Sequence, residues 1–199
     1  MIVSTTPWRL IGLSGLIAVG AAGAEASCPT RADLSEGVVL VQNTPAFLRS
    51  DFDVVDGGIR ETRVDRLGGT LQARTRLLAH GLLDISGIDY DDDPGALDAL
   101  PETGHVILTG ELRGADRQVP VAFDATYLGD GTQALAECRY DTWQIRVQEV
   151  YEGRAGPAFV VDFAPALGLV LAVAELDDAG ATMPLYAYQW AGTAADVER

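Results

Sequence analysis

The segment Thr-Trp-Gln-Ile-Arg-Val-Gln-Glu-Val-Tyr, residues 142–151, has the most regular hydropathy pattern of the chain. Large apolar side chains alternate along it with polar ones: the apolar set is Trp143, Ile145, Val147 and Tyr151, and the polar set between them is Gln144, Arg146 and Gln148. Successive side chains of a β-strand point to opposite faces of the sheet. The alternation therefore predicts a strand with one face on an apolar core and the other toward water.

The same period of two, interrupted by glycine-rich turns, recurs on both sides of this segment. Further strand candidates are residues 38–42, 47–54, 59–67, 70–79, 81–90, 105–112, 117–127, 159–163, 169–176 and 184–190. Residues 94–100 are a candidate short helix with Asp93 as its N-cap and Pro94 at its first position. The long helices that parallel crossovers require are missing, so neighbouring strands should pair antiparallel. We predict a mainly β protein whose antiparallel, strongly curved meander forms an open or nearly closed barrel, with one or two short helices.

Charges interrupt the pattern in residues 59–67, where Arg60, Glu61, Arg63, Asp65 and Arg66 occupy both faces of the predicted strand. A strand that is charged on both faces cannot lie wholly in an apolar core. We therefore expect at least one end of it to stand in water.

Residues 1–26 have the pattern of a secretory signal peptide. Arg9 precedes an apolar stretch, residues 10–22, that is too short to span a bilayer comfortably. Small residues then offer two cleavage positions, after Ala24 or after Ala26. The pattern predicts a periplasmic or secreted protein with no transmembrane span in its mature chain, and residues 27–199 as a single β-rich domain.

The mature chain would contain two cysteines, Cys28 and Cys138. Exported proteins meet an oxidising compartment, so a disulfide between these residues is expected. The alternative is a lipidated Cys28, but Glu25 occupies the position where a lipobox has an apolar residue. No C-x-x-C motif is present, which argues against a redox enzyme.

Composition excludes several classes of function. The formal net charge is -15, which argues against nucleic acid or an anionic membrane surface as partner. Every basic residue is arginine, so lysine-based covalent catalysis is excluded. No G-x-S-x-G, HExxH or phosphate-loop motif occurs in residues 27–199, and we predict no catalytic residue and no cofactor. A hydrolase that pairs Asp or Glu with His80 or His105 stays as the enzymatic alternative.

The acidic run at residues 89–93 is the weak candidate for a metal site. Asp89, Asp91 and Asp93 have the spacing that calcium loops use, but Pro94 stands where such a loop needs glycine. A solvated acidic loop is the preferred interpretation, and a calcium-dependent interaction module is the alternative.

Two aromatic stripes are candidates for contact with a ligand. Tyr186, Tyr188 and Trp190 alternate along one predicted strand, and Trp143 and Tyr151 lie on one face of another. If both stripes face a shared concavity they would line a pocket for an apolar ligand. If they face a packed core they only fill it.

Two short motifs carry a resemblance. The start Cys28-Pro29-Thr30-x-Ala32-Asp33-Leu34-x-x-Gly37, and the later segment Phe163-Ala164-Pro165-Ala166-Leu167-Gly168-Leu169-Val170, resemble uncharacterised exported β-sheet proteins of alphaproteobacterial type. The resemblance implies a curved sheet of the kind found in lipid carriers and no catalytic residues. Taken together, these patterns favour a periplasmic, non-enzymatic binding domain for an apolar or lipid-like small molecule or for an envelope protein.

Overall fold

A computed structural model describes residues 28–67, 69–114 and 117–197. The predicted signal peptide lies outside the described residues. Within them the chain forms two antiparallel β-sheets that curve strongly without closing into a barrel, which confirms the predicted mainly β fold.

The first sheet contains six strands in the spatial order β13-β1-β2-β3-β4-β5. Its strands are β1 (Val38–Gln42), β2 (Leu48–Val55), β3 (Gly58–Leu67), β4 (Thr70–His80), β5 (Leu83–Asp84) and β13 (Trp190–Thr193). All pairs except β13 with β1 join neighbours in sequence. The sheet is therefore a meander to which the end of the chain returns.

The second sheet contains seven strands in the spatial order β12-β11-β10-β9-β8-β7-β6. Its strands are β6 (Ile88–Tyr90), β7 (His105–Leu112), β8 (Pro120–Leu135), β9 (Cys138–Tyr151), β10 (Arg154–Ala164), β11 (Leu169–Leu176) and β12 (Thr182–Ala187). The predicted strand at residues 142–151 forms the C-terminal part of β9, and Ile145 on its apolar face is fully buried. A register shift between Tyr127 and Gly129 interrupts the long β8–β9 ladder, and such bulges bend a sheet.

Helices are short. A 3-10 helix, Arg31–Ser35, precedes β1, and a second, Pro94–Ala99, leads directly into α1 (Leu100–Thr103). The side chain of Asp93 accepts a hydrogen bond from the backbone N–H of Gly95, as expected for the predicted N-cap. A last turn, α2 (Ala194–Val197), follows β13. Among the described residues, no helix has the length and apolar character needed to cross a membrane.

Two strand predictions were wrong because the chain changes sheets within them. Residues 81–90 form β5 in the first sheet and β6 in the second. Residues 184–190 leave the second sheet after β12: the N–H of Tyr188 donates to the carbonyl of Leu171, and the next N–H, of Gln189, donates to that of Val41 in β1. A period of two indicates which face a side chain occupies and carries no information about which sheet the strand joins.

The space between the sheets contains two apolar clusters. The first is formed by buried residues of both sheets and includes Leu40, Phe52, Leu78, Leu169 and Leu171. The second lies beneath the helical segment and includes Leu97, Leu100, Phe123, Val161 and Phe163. The interior is thus largely packed.

The N-terminal segment is fixed to the body of the domain by the predicted disulfide between Cys28 and Cys138. Two hydrogen bonds accompany it. The hydroxyl of Tyr140 donates to the carbonyl of Pro29 over 2.9 Å, and the N–H of Arg31 donates to the carbonyl of Ala166 over 2.8 Å.

Candidate functional site

A cavity of about 320 Å³ lies between the sheets, where the two apolar clusters meet. Leu78 of the first cluster and Phe123 and Val161 of the second cluster line it. The other apolar lining residues are Leu82, Val147, Pro157, Phe159, Val170, Val173 and Tyr186. The volume corresponds to roughly ten water molecules, and it falls in the lower part of the range for small-molecule sites.

Four charged side chains also line the cavity: Arg63, Arg76, Asp84 and Glu149. Arg76 and Asp84 are partly exposed, with 38% and 36% of their side chains accessible. The cavity therefore has an apolar wall and a charged, solvent-reaching side. Such a division suits a ligand that has an apolar body and a polar end.

Arg76 is held by a buried carboxylate. Glu61, opposite Arg76 on β3, is fully buried and forms an ion pair with the Arg76 guanidinium. Burial, the largest single effect, would lower the pKa of Arg76, but the charge and hydrogen bond of Glu61 together with the charges of Tyr186 and Asp84 outweigh it, and the pKa is raised. Asp84 lies 3.8 Å from the same guanidinium. The charge of Arg76 is therefore already balanced by protein groups.

Arg63 is held differently. Its guanidinium carbon lies 4.5 Å from the centre of the Tyr186 ring, a cation–π contact. Arg63 makes no ion pair with any residue in the described parts of the chain. Arg63 therefore lies on the cavity wall without a carboxylate partner among the described residues.

On the second sheet, the polar part of the lining is a tyrosine–carboxylate pair. The hydroxyl of Tyr151 donates to Glu149 over 2.5 Å. Burial, together with this hydrogen bond, raises the pKa of Tyr151 to about 12. The phenol thus stays protonated at neutral pH and remains the donor.

The structure brings only two of the five candidate ligand-facing aromatics to the cavity. Tyr151 and Tyr186 line it. Trp143 packs on Phe163 with ring centres 5.7 Å apart, and Tyr188 is buried in the first apolar cluster. Trp190 begins β13 in the first sheet, where the six-membered ring of its indole lies against Gly192.

Three side chains of the acidic run make structural contacts with other residues of the domain. Asp89 forms an ion pair with Arg113, Asp92 accepts hydrogen bonds from Thr109, and Asp93 caps the helix. In residues 28–67, 69–114 and 117–197, no group of three or more His, Cys, Asp or Glu side chains has an arrangement that could hold a metal ion. Asp89, Asp91 and Asp93 therefore gain no support as ligands from the geometry.

The two histidines are not among the lining residues of the cavity, and both pair with carboxylates. His80 is buried, and its Nε2 lies 3.2 Å from Asp98 while its Nδ1 accepts the N–H of Leu82. His105 is half-exposed, and its Nε2 lies 3.1 Å from Asp124. Within the part of the chain that the structure describes, neither histidine forms a hydrogen bond with a hydroxyl, which a hydrolytic triad would require.

Comparison with known proteins adds no functional assignment: no family model, no curated protein and no solved structure matches this chain.

Sequence reasoning missed the charged side of the cavity. The signal was present, because Ile59, Glu61 and Arg63 alternate on one face of β3 and the first of them is apolar. Such a face begins in the core and becomes charged toward its far end. The charges of residues 59–67 predicted that one end of this strand stands in water, and Arg66 near its end is exposed, as is Thr70–Thr75 of the paired strand. The burial of Glu61 was not predicted.

Proposed function

We propose that this protein is a non-enzymatic binding domain that takes up a small molecule with an apolar body in the cavity between its two sheets. The observation that carries the proposal is the apolar cavity itself. It lies within an otherwise packed interior and is lined by residues of both sheets.

The energetics favour an apolar occupant. Apolar side chains that face an empty space lose the contacts that a packed core would give them. A ligand that fills the cavity restores these contacts. Moving its apolar surface out of water also stabilises the complex by roughly 25 cal/mol per Å² of apolar surface buried. The polar side of the lining supplies hydrogen-bonding groups for one end of the ligand.

The setting we propose for this activity is the periplasm or the extracellular space. The disulfide and the signal-peptide pattern of residues 1–26 support it. Carriage of an apolar molecule through an aqueous compartment is a task that a protein with an internal apolar cavity can perform. An envelope protein as partner is the second candidate from the sequence.

The test uses residues 27–199, purified with the disulfide intact, and the neutral apolar dye N-phenyl-1-naphthylamine. We expect the dye's fluorescence to rise on saturable binding and a neutral alcohol, decanol, to displace it. Val147→Trp and Val173→Phe, on neighbouring parts of the apolar wall, should each abolish the signal by filling the cavity.

The matched control is Ile107→Trp, because Ile107 is an exposed side chain of the same sheet and does not line the cavity. This variant should bind the dye as the parent does. Circular dichroism and urea unfolding establish that each variant is folded. Absence of saturable binding in the parent, or unchanged binding in both folded cavity variants, would contradict the proposal.

A further inference from the structure

We infer that the ligand is a singly charged anionic amphiphile, a molecule with an apolar chain and one carboxylate, and that Arg63 binds the carboxylate. This inference rests on the proposed function and specifies the chemical class of the ligand. It follows from the state of the charged groups on the cavity wall.

Three of the four charged lining groups already have protein partners. Arg76 pairs with Glu61 and lies 3.8 Å from Asp84. Asp84 also accepts the N–H of Ser86, over 2.8 Å. Glu149 accepts the hydroxyl of Tyr151. Arg63 contacts Tyr186 through the ring face and a hydrogen bond, and it is the charged lining group without an ion-pair partner among the described residues.

The contact with Tyr186, a cation–π contact with one side-chain hydrogen bond, leaves most of the hydrogen-bonding edge of Arg63 available. A cation–π contact uses the face of the aromatic ring and the charge of the guanidinium. The five N–H donors of arginine lie in the guanidinium plane and form a fork that matches a carboxylate. The tyrosine therefore restricts the position of the guanidinium while leaving most of its donors for a ligand, and pre-organisation of this kind lowers the entropic cost of binding.

The position of Arg63 matches that of a head group. On the inner face of β3, Ile59 lies in the first apolar cluster, Glu61 is buried beyond it, and Arg63 follows at the partly exposed end. A chain that lies along the apolar wall would place its terminal group at this end. The cross-strand neighbour Arg74 is not part of the lining and pairs with Asp65, so it does not compete for the head group.

The remaining charges limit the ligand to one negative charge. Asp84 and Glu149 are anionic groups on the same lining, and they repel a head group that carries two charges. A phosphate monoester carries between one and two negative charges at neutral pH. We therefore expect a carboxylate to bind more tightly than a phosphate monoester with the same chain.

Four decyl compounds test the inference by isothermal titration calorimetry on the disulfide-bonded residues 27–199: decanol, decanoate, decyl phosphate and decyltrimethylammonium. Decanoate should bind at least about tenfold more tightly than decanol, the gain expected for charge-assisted hydrogen bonds to arginine. Decyl phosphate should bind more weakly than decanoate, and decyltrimethylammonium more weakly than decanol.

Arg63→Gln should remove the advantage of decanoate and leave the affinity for decanol unchanged. Arg74→Gln is the matched control, because Arg74 lies beside Arg63 on the next strand and is not on the cavity wall. This control should keep the advantage of decanoate.

The outcomes separate the two proposals. If decanol binds and decanoate binds no more tightly, or if Arg63→Gln keeps the preference, the head-group inference is overturned while the cavity proposal stands. Tighter binding of decyltrimethylammonium would also overturn it, because a carboxylate of the lining would then bind the head group. If none of the four compounds binds, the proposed function itself fails.

Discussion

The hydroxyl of Ser50 donates a 2.6 Å hydrogen bond to the carboxylate of Glu61, and both residues are fully buried. The same hydroxyl accepts a 2.6 Å hydrogen bond from Tyr188, which lies where the chain passes from the second sheet to the first. Glu61 also carries the ion pair with Arg76. This buried chain of polar groups thus connects the segment that passes from the second sheet to the first with the wall of the cavity.

The first prediction concerns the charge of Glu61. Glu61→Gln removes the counter-charge of the half-buried Arg76 and leaves an amide in its place. Breaking a buried ion pair by removing one partner leaves an uncompensated charge, so we expect the free energy of unfolding to fall by about 3 kcal/mol. Urea unfolding at neutral pH measures the loss.

Asp53→Asn is the matched control for this variant. Asp53 and Arg60 form a pair on the neighbouring strands β2 and β3, but half of the Arg60 side chain is exposed. Exposed ion pairs contribute less than about 1 kcal/mol. Equal losses in the two variants would show that burial of Glu61 has no energetic consequence.

The second prediction concerns the disulfide. Its cysteines are separated by 110 positions, and closing a loop of this length in the unfolded chain stabilises the native state by about 4–5 kcal/mol in the chain-entropy model. The double variant Cys28→Ser, Cys138→Ser should lose most of this amount in urea unfolding. Added dithiothreitol should lower the parent to the same level and leave the double variant unchanged.

Tyr140→Phe separates the disulfide from its surroundings. The variant removes only the hydrogen bond to the carbonyl of Pro29, next to Cys28. A hydrogen bond of this kind contributes about 1 kcal/mol. A loss in Tyr140→Phe as large as that in the double cysteine variant would mean that the N-terminal segment, and not the covalent link, provides the stabilisation.

The third prediction concerns a close approach of the two sheets. Gly81 lies between β4 and β5, and a Cβ placed on it would lie 1.9 Å from the carbonyl oxygen of Gly168, in the turn between β10 and β11. Because that atom belongs to the backbone, it cannot move aside alone. Gly81→Ala should therefore destabilise the protein by about 3 kcal/mol, the upper part of the range for overpacking.

Gly87→Ala is the control for Gly81→Ala. A Cβ at Gly87 meets nothing within 4 Å, so this variant should change the free energy of unfolding by less than about 1 kcal/mol. Thermal or urea unfolding of the two variants measures the difference. If they are equally stable, the sheets are not in close contact at Gly81.

The sequence pattern predicted the fold correctly where a predicted strand lies entirely within one sheet. The alternation at residues 142–151 placed Ile145 in the core because side chains of a strand alternate between faces, although the buried positions earlier in β9, Cys138, Tyr140 and Thr142, have the opposite phase. It could not show that Tyr186 and Trp190 belong to different sheets, because a crossing between them leaves the alternation intact.

The cavity was less predictable than the fold, because its polar side depends on pairing across strands. Glu61 looks like a surface charge in the sequence, and only its register with Arg76 and its contact with Ser50 make its burial tolerable. Tyr151 and Tyr186 were among the aromatic candidates, whereas Arg63 was not, since its distinction is the absence of an ion-pair partner among the described residues. A missing contact leaves no trace in a sequence.

The last prediction concerns His80 and pH. His80 is buried against Phe163, with ring centres 5.2 Å apart. Its Nδ1 accepts the N–H of Leu82, so the neutral ring carries its hydrogen on Nε2 and donates to Asp98. Burial lowers the pKa of His80 below its ordinary value of 6.5; the hydrogen bond and charge of Asp98 oppose this shift, and the nearby Arg31 adds to it.

The direction of the pH effect on stability follows from the linkage between protonation of His80 and unfolding. The unfolded chain takes up a proton at about pH 6.5 and the folded chain only at lower pH, so protons favour the unfolded state between these two values. The stabilisation is complete above pH 6.5 and is lost as the pH falls toward the pKa of the folded state. We expect the free energy of unfolding to be lower at pH 5.5 than at pH 7.5, and His80→Gln to show a smaller decrease because glutamine does not titrate.

Gln72→Ala, at an exposed neutral position of the same strand, should keep the decrease of the parent. Urea unfolding at both pH values measures it, and a decrease in His80→Gln equal to that of the parent would show that another group is responsible.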